Sequence, residues 1–517
     1  MATKNRWIKV MAPLVIAGVM LTGCSGSGEE PAPTDDGTTS GPPSEPTGTL
    51  RINWGSAPST WAPGARIEPG YYYVPYESLV LLGEDNEILP NLATEWVEEP
   101  MALTLTLRDD VTFHDGTPFN AEAVKANLEY VRDNPGAYSG PLQAVESVDI
   151  VDEFTAKVNF AFPSPTFLTM LTRNNVLIAS PTAIADGTVV TEPVGTGPWK
   201  YDAGNSVEGT KAAFTLNEAY WGEPVHFENV ELYSIADDTS AVAGLLGSEL
   251  HVTDVELDQQ PRIDGVANID SYDYAAVRNN VVYFDRAPDG EFGDVDVRKA
   301  LCMSLDREGY AQFAADTLDT PNQHFVEGEP GYNADIVGYD FDLDGAQSLL
   351  DGATVEGTFP AAPFLKGQLE FFADNMNQLD GVNITVQDLP VPDFQSTWNS
   401  GQYGLGVGQN QEITPYDWYQ SWFAGSARQN PSGYESAELK AAADAAKAAG
   451  SSDEADALWQ EVMKIIIDDE ALACGFVVGG QTIGWNTDTV AGVQPAPHQP
   501  FMINLIDYRS IYPVTAD

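Results

Sequence analysis

Five histidines are the first places to look for acid–base or metal chemistry: His114, His226, His251, His324 and His498. No two of them stand at a spacing that puts both imidazoles on one metal, and no His-Glu-x-x-His occurs. His114-Asp115 has the residue types of a general acid–base couple. Asp115-Gly116-Thr117-Pro118 reads as a turn after a strand, so a structural role is expected for both. Gly195-Thr196-Gly197 could begin a dinucleotide loop, but Pro198 and Trp199 follow where a helix would have to open onto phosphate, and that chemistry is set aside. There is no Gly-x-Ser-x-Gly nucleophile elbow. Asp340, Asp342, Asp344 and Gly345, with Asp351 eleven positions after the first, have the spacing of a calcium loop. The last of them is Asp rather than a bidentate Glu, and no entering helix is evident. Asp342 is expected instead to cap a helix carrying Ala346, Leu349 and Leu350. The expectation is therefore no catalytic residue, no metal and no cofactor.

The elements around these residues follow from periodicity. Residues 50–54 open as a strand, and 102–107 alternate so that Leu103, Leu105 and Leu107 share one face. Asn120 can cap a helix running to about Asp133, with Val124, Leu128 and Val131 on its buried stripe. A second helix starts near Asp294 or Asp296 and buries Val297, Leu301 and Leu305. A third covers about 453–468 with Leu458, Val462 and Ile465 inward, and runs into a strand-like 471–478. Strands and helices interleave irregularly, without a solenoid repeat, which makes the class mixed α/β.

At 517 residues, with 43% hydrophobic and 10% aromatic residues, the chain has an ordinary globular composition and is long enough for two or more lobes. Its 77 acids against 24 bases give a formal charge of −53, which excludes most nucleic-acid roles because a phosphate backbone needs clustered cations. Such a surface is strongly solvated and self-repelling, suited to solubility or high salt.

The first residues set the compartment. Lys4, Arg6 and Lys9 precede an apolar stretch at 10–20, and Leu21-Thr22-Gly23-Cys24 follows at once. This is the order of a secretory signal, about half the length of a spanning helix. Leu-Thr-Gly-Cys resembles the lipobox of bacterial lipoproteins, which implies cleavage before Cys24, lipidation (diacylglyceryl and palmitate) of that residue, and anchoring on the outer face of the cytoplasmic membrane. Cutting there removes three bases and no acid, leaving 77 acids against 21 bases, or −56. Residues 25–48 hold only Gly, Pro, Ser, Thr, Asp, Glu and one Ala, and are expected to be a disordered tether spanning roughly 25–30 Å.

Motifs in the body follow one another in a familiar order: Tyr76-Glu77-Ser78-Leu79-Val80, Leu89-Pro90-Asn91-Leu92-Ala93-Thr94-Glu95-Trp96, and 107–119 with Phe113-His114-Asp115-Gly116-Thr117-Pro118-Phe119. Then come Val194-Gly195-Thr196-Gly197-Pro198-Trp199, Asn217-Glu218-Ala219-Tyr220-Trp221-Gly222, Val297-Arg298-Lys299-Ala300-Leu301 with Leu305-Asp306-Arg307-Glu308, and Ala346-Gln347-Ser348-Leu349-Leu350. The chain resembles the family 5 extracellular solute-binding proteins, the oligopeptide, dipeptide and nickel-binding group that feeds ABC importers. The resemblance covers about residues 50–480. It implies a two-lobed periplasmic-binding-protein-like fold of type II, the large variant with an inserted subdomain, whose lobes are joined by crossing strands. The first lobe would comprise 49–85, 190–285 and 486–517, the inserted subdomain 86–189, and the second lobe 286–485. The implied partners are a small solute or peptide, the ABC permease and ATPase subunits, and the membrane through the lipid anchor, with the protein itself a monomer.

By the same analogy the cleft is walled by Trp61, Tyr72 and Tyr73 on one side and by Gln409, Gln411, Glu412, Tyr416 and Trp418 on the other, with residues 281–285, ending in Asp285, crossing between lobes. Ordinary core packing is the competing role for each aromatic, and Tyr71, Tyr72 and Tyr73 cannot all face one way. Peptide-binding relatives often carry Trp-x-x-Asp-Tyr-Pro-Asp-Pro where this chain reads Gly408-Gln409-Asn410-Gln411-Glu412-Ile413-Thr414-Pro415. Gln411 takes the place of the Asp that holds a peptide's ammonium, and Glu412 could substitute by a shift of one residue. In an oxidising compartment Cys302 and Cys474 can pair, or both stay as buried thiols. The reading is thus a receptor rather than an enzyme, most simply for an oligopeptide or dipeptide. A surface hydrolase, or a sensor or adhesin without a transport partner, are the alternatives.

Overall fold

The computed structural model describes residues 41–514 apart from 56, 65–68, 84–86, 135–139, 165–166, 173–175, 257–258, 315–317, 326, 328–330, 363–364, 391–392, 395–396, 399, 411–413, 450–451 and 497–505. Cys24, Gln411 and Glu412 lie outside the described residues, as does most of the expected tether; so do the side chains of 274–279, 409–410 and 479–481.

The strands are β1 (Thr49–Asn53), β2 (Val80–Leu82), β3 (Ile88–Pro90), β4 (Ala93–Glu99), β5 (Ala102–Leu107), β6 (Val145–Asp152), β7 (Thr155–Phe160), β8 (Trp199–Tyr201) and β9 (Lys211–Leu216). They continue with β10 (Asn229–Tyr233), β11 (Val252–Val255), β12 (Ile269–Phe284), β13 (Val355–Ala361), β14 (Val382–Asp388), β15 (Leu405–Asn410), β16 (Ala473–Asn486) and the short pair β17 (Val490–Ala491) and β18 (Tyr512–Pro513). Eight of them form one sheet in the order β15-β12-β16-β11-β1-β10-β9-β8, and β4-β5-β7-β6 form a separate four-stranded sheet. In β5 the alternation read from the sequence is realised, with Leu103, Leu105 and Leu107 buried in the core of the small sheet.

The register of the large sheet makes the two lobes. β11 stops at Val255, opposite Thr482 of β16. β15 stops at Asn410, opposite Asn279 of β12. Between those two ends, β12 and β16 are the strands that continue, so about 273–279 and 478–482 carry the chain from one lobe to the other. The crossing stretch therefore lies before Val281, where the sequence had suggested it; residues 281–284 are already inside the second lobe. The register of β12 on β16 shifts between Tyr274 and Arg278 and again between Asn280 and Val282. At the second shift the extra residue on β16 is Gly475, whose φ of +65° suits glycine and whose Cβ would stand 2.8 Å from Leu305 and 2.9 Å from Val282. Beyond the shift, successive β12 residues feed opposite cores: Val282 and Phe284 face one, Val281 and Tyr283 the other.

Helices start where capping side chains allow. Asn120 accepts from the Glu122 and Ala123 amides at the head of Ala121–Asp133. Asp294 caps Val295–Met303, which buries Val297 and Leu301. Asp342 accepts from the Gly345 amide at 2.9 Å and caps Leu343–Leu350, the role expected for it in place of a calcium ligand. Ser452–Lys464 passes into a wider π turn, Ile465–Asp469, before β16. His114 and Asp115 serve their turn: the imidazole Nε2 lies 2.9 Å from the Gly197 carbonyl, and the Asp115 carboxylate accepts from Thr117 N and Ser180 Oγ. The Cys302 and Cys474 sulfurs are bonded, tying Val295–Met303 to the start of β16 across 172 residues of sequence.

Candidate functional site

In open α/β sheets ligands bind outside the carboxyl ends of parallel strands, because loops and helix N-termini converge there. β1 is parallel to both β10 and β11, so their ends at Asn53, Tyr233 and Val255 form one edge. Asn53 holds that edge together. Its buried side chain donates to Ile235 O (3.3 Å) and Thr253 Oγ1 (3.2 Å) and accepts from Ile235 N (2.7 Å) and Gly55 N (3.3 Å). One amide thereby fixes the paths of the chain leaving β1 and β10 relative to β11. Tyr71 adds a second tie, its hydroxyl lying 2.9 Å from Tyr233 O and 2.7 Å from Ser234 Oγ. Trp54 Nε1 donates to Tyr508 OH at 2.7 Å, bringing the C-terminal segment to the same edge. Nothing in composition or spacing marks Asn53; only the register of three strands distant in sequence reveals it.

On the second lobe, β15 ends at Asn410, and Thr414 caps the helical turn Pro415–Trp418, accepting from Asp417 N and donating to Asp417 Oδ2. Behind it lies an aromatic wall. Tyr283 and Trp422 stack with centroids 3.8 Å apart and planes at 8°. Trp418 Nε1 donates to Tyr283 OH at 2.8 Å, and His324 stacks on Trp418 at 4.7 Å. Gly408 makes room for this, since a Cβ there would fall 2.2 Å from the Trp422 ring.

The residues named from the sequence fall in several places. Trp61 is buried among Tyr71, Tyr72, Tyr201 and Phe214. Tyr72 is buried beside it and its hydroxyl donates to the Thr60 carbonyl. Tyr73 is half-buried, pointing its hydroxyl toward Thr172 O at 3.4 Å. Asp285 sits just past β12, its N–H on Gly404 O (2.8 Å) and its carboxylate accepting from Ala287 N (3.2 Å). Tyr416 packs edge-on against Trp459, and Trp418 is fully buried. The backbone of Gln409 pairs with Asn280. Among the described residues of the named set, Tyr73 lines a cavity together with Glu77, Asn91, Tyr220, Tyr508 and Arg509.

A model of the bacterial extracellular solute-binding proteins, family 5 Middle, matches residues 87–432. The chain belongs to this family. Among relatives of described function, the probable D,D-dipeptide-binding periplasmic protein DdpA of Escherichia coli strain K12 is 24% identical over 467 residues, 82% of this chain and 88% of DdpA. Among solved structures, DppA of Helicobacter pylori in complex with the peptide STSA superposes with a TM-score of 0.78 at 20% identity, covering 91% of this chain and 99% of that one. NikA of Brucella suis in complex with Fe(III)-EDTA does so with a TM-score of 0.78 at 18% identity, covering 90% and 100%. At these identities the structural likeness establishes the mixed α/β, two-lobed family 5 fold. Among the described residues no helix is long and apolar enough to cross a membrane.

The family 5 motifs explain one another at Glu77. Its buried carboxylate accepts from Thr196 Oγ1 (2.7 Å), Trp221 Nε1 (2.8 Å) and Tyr220 OH (2.9 Å), so three of the motifs meet on one side chain. Burial pushes its pKa up, and the three donors and the charge of Arg509 only partly offset that. Arg108, from a fourth motif, lies over the Trp221 ring at 4.2 Å. Arg108 directly follows β5, so this contact ties the four-stranded sheet to the Glu77 cluster.

Proposed function

We propose that this family 5 protein is a lipid-anchored extracytoplasmic receptor. It captures a small solute, most simply an oligopeptide or dipeptide, between its lobes and delivers it to an ABC permease and ATPase without making or breaking bonds. The observation that carries the reading is the sheet register. The carboxyl ends of β1, β10 and β11 on one lobe and of β15 on the other flank a bridge of two irregular strands, β12 and β16. A ligand touching both edges favours the closed arrangement by the difference in its contacts between the two states. In this reading Trp54 and Tyr73 would serve the first lobe's side of the cleft and Gln409, Gln411 and Glu412, at and after the end of β15 in sequence, the second lobe's side, where Glu412 would meet a peptide's ammonium. The lobes would take 49–85, 190–272 and 483–517 on one side and 280–477 on the other, joined through 273–279 and 478–482, with 86–189 inserted. DdpA and DppA, by their names and bound ligand, support a peptide as solute, whereas the NikA complex supports a metal chelate.

The test is native mass spectrometry of protein secreted with its own leader, paired with small-angle scattering before and after the solute is removed. A co-purified peptide and a larger radius on its removal are expected. A co-purified sugar or metal chelate would remove the peptide reading. Unchanged dimensions, or turnover of the solute, would remove the receptor mechanism itself.

A further inference from the structure

The second lobe contains a polar pair that its own fold does not complete. Asn280 stands on β12 one residue inside the edge marked by the Asn279–Asn410 pairing. Its side chain is on the face shared with Val282 and Phe284, toward the helix Lys366–Met376. There Asn280 Nδ2 donates to Gln368 Oε1 at 2.8 Å, and Gln368, in the first turn of that helix, is 3% exposed. The remaining atoms, Asn280 Oδ1 and Gln368 Nε2, are buried with no hydrogen-bond partner.

Exchanging O and N in both amides keeps a single bond between the two side chains. The pair would then share the other hydrogen bond, again leaving one donor and one acceptor, and exchanging only one would set like atoms against each other. Buried polar groups in native proteins are nearly always satisfied, so an orphan donor and an orphan acceptor side by side call for a partner that carries one of each. An amide is such a group: its C=O accepts and its N–H donates. The site is also placed where a small movement can open it. The half-buried Asn280 borders the register shift between Asn280 and Val282, at the point where the crossing strand enters the second lobe.

We propose that Asn280 and Gln368 are the second lobe's reader of an amide-bearing solute. As the lobes close the pair keeps its one bond and takes the solute's amide N–H on Asn280 Oδ1 and its C=O on Gln368 Nε2, the two atoms that are orphaned in this conformation. The proposal rests on the receptor reading and narrows its solute to molecules with a peptide-type amide.

The test compares the native protein with Gln368→Met and with the double variant Asn280→Leu/Gln368→Met, each secreted by cells grown on peptone. Bound solute is read by native mass spectrometry. Melting temperature is read after solute is stripped by unfolding and refolding, and then with added alanyl-alanine or N-acetylalanine amide. If the pair reads solute, the stripped variants melt at or above the native protein, because the orphans are gone, yet carry at least tenfold less solute and lose the probe-induced shift. Variants that melt lower but keep their solute would make the pair a merely structural contact and overturn the proposal. So would a native solute with no amide, or no bound solute together with no shift from either probe. A non-peptide solute that carries an amide and is lost in both variants would sink the peptide reading while sustaining this one.

Discussion

Removing the Cys302–Cys474 bond is the sharpest test of how the second lobe is held. The bond closes 172 residues between Val295–Met303 and the first residues of β16. By the chain-entropy relation a loop of that size restrains the unfolded chain by about 5 kcal/mol. If the second lobe, about 280–477, melts as its own unit of roughly 200 residues, each kcal/mol moves its midpoint by about 2–4 °C. The double variant Cys302→Ala/Cys474→Ala should therefore melt roughly 10–20 °C lower in that transition. Both sulfurs are buried, so part of the loss reflects lost packing. The single Cys302→Ala variant, which breaks the bond and leaves one thiol, separates the two: most of the loss should already be present in it. Scanning calorimetry under non-reducing conditions is the assay. A second-lobe transition within about 2 °C of the native protein would refute the argument, because it would mean that the unfolded chain gains almost no freedom when the link is cut.

Acid should destabilise the protein through its histidines. Burial lowers His114 and His251 to about 4, so both remain neutral when folded and protonate at their ordinary pKa when unfolded. The stability is intact above pH ~6.5 and is lost between ~6.5 and ~4, by about 3 kcal/mol for each group. Replacing both with Gln should flatten that limb of the pH–melting curve, and NMR titration of His114 should show no protonation at pH 6. Glu77 has the opposite sign. Its raised pKa makes the folded state hold a proton that the unfolded state gives up, so stability falls as pH climbs through the window above the ordinary glutamate value. Glu77→Gln turns an amide N–H₂ toward donors, costs about 1–3 kcal/mol, and should remove that limb from the melting curve. Gly408→Ala should part the Tyr283–Trp422 stack, costing about 1–3 kcal/mol and weakening the near-ultraviolet circular dichroism. With 77 acids and 24 bases, the protein should melt higher in about 1 M than in about 0.05 M NaCl, because added ions screen repulsion that is strongest in the compact state.

Much of the architecture was legible in the residues because its causes are local. The capping roles of Asn120, Asp294 and Asp342 needed only a short polar side chain before an apolar stripe. The alternation of Leu103, Leu105 and Leu107 needed only a period of two. The motif order pointed to the family, although the reason for the motifs, their meeting on Glu77, is written in no single stretch. The site was harder. Trp61, Tyr72, Tyr416 and Trp418 have the residue types of a ligand wall, and the same area and stiffness make them core formers, which is where all four are buried. Asn53, Asn280 and Gln368 were passed over because an amide has no periodicity, and its importance depends on what stands opposite it. The crossing stretch was placed too late along β12 because register, which ends β11 and β15 where they end, cannot be read from one strand alone.

The bond from Trp54 to Tyr508 has a consequence for biogenesis. A chain delivered across a membrane from its amino end exposes β1 first, yet that strand's neighbours β10 and β11 and its last brace arrive much later. The second core, running from β12 to β16, can be finished while the first is still waiting for partners. Secretion of a version stopped short of Tyr508 should therefore yield a species half set and half sticky, the kind that quality-control proteases remove. Residues after 506 are in this sense the keystone of an arch laid from its opposite end.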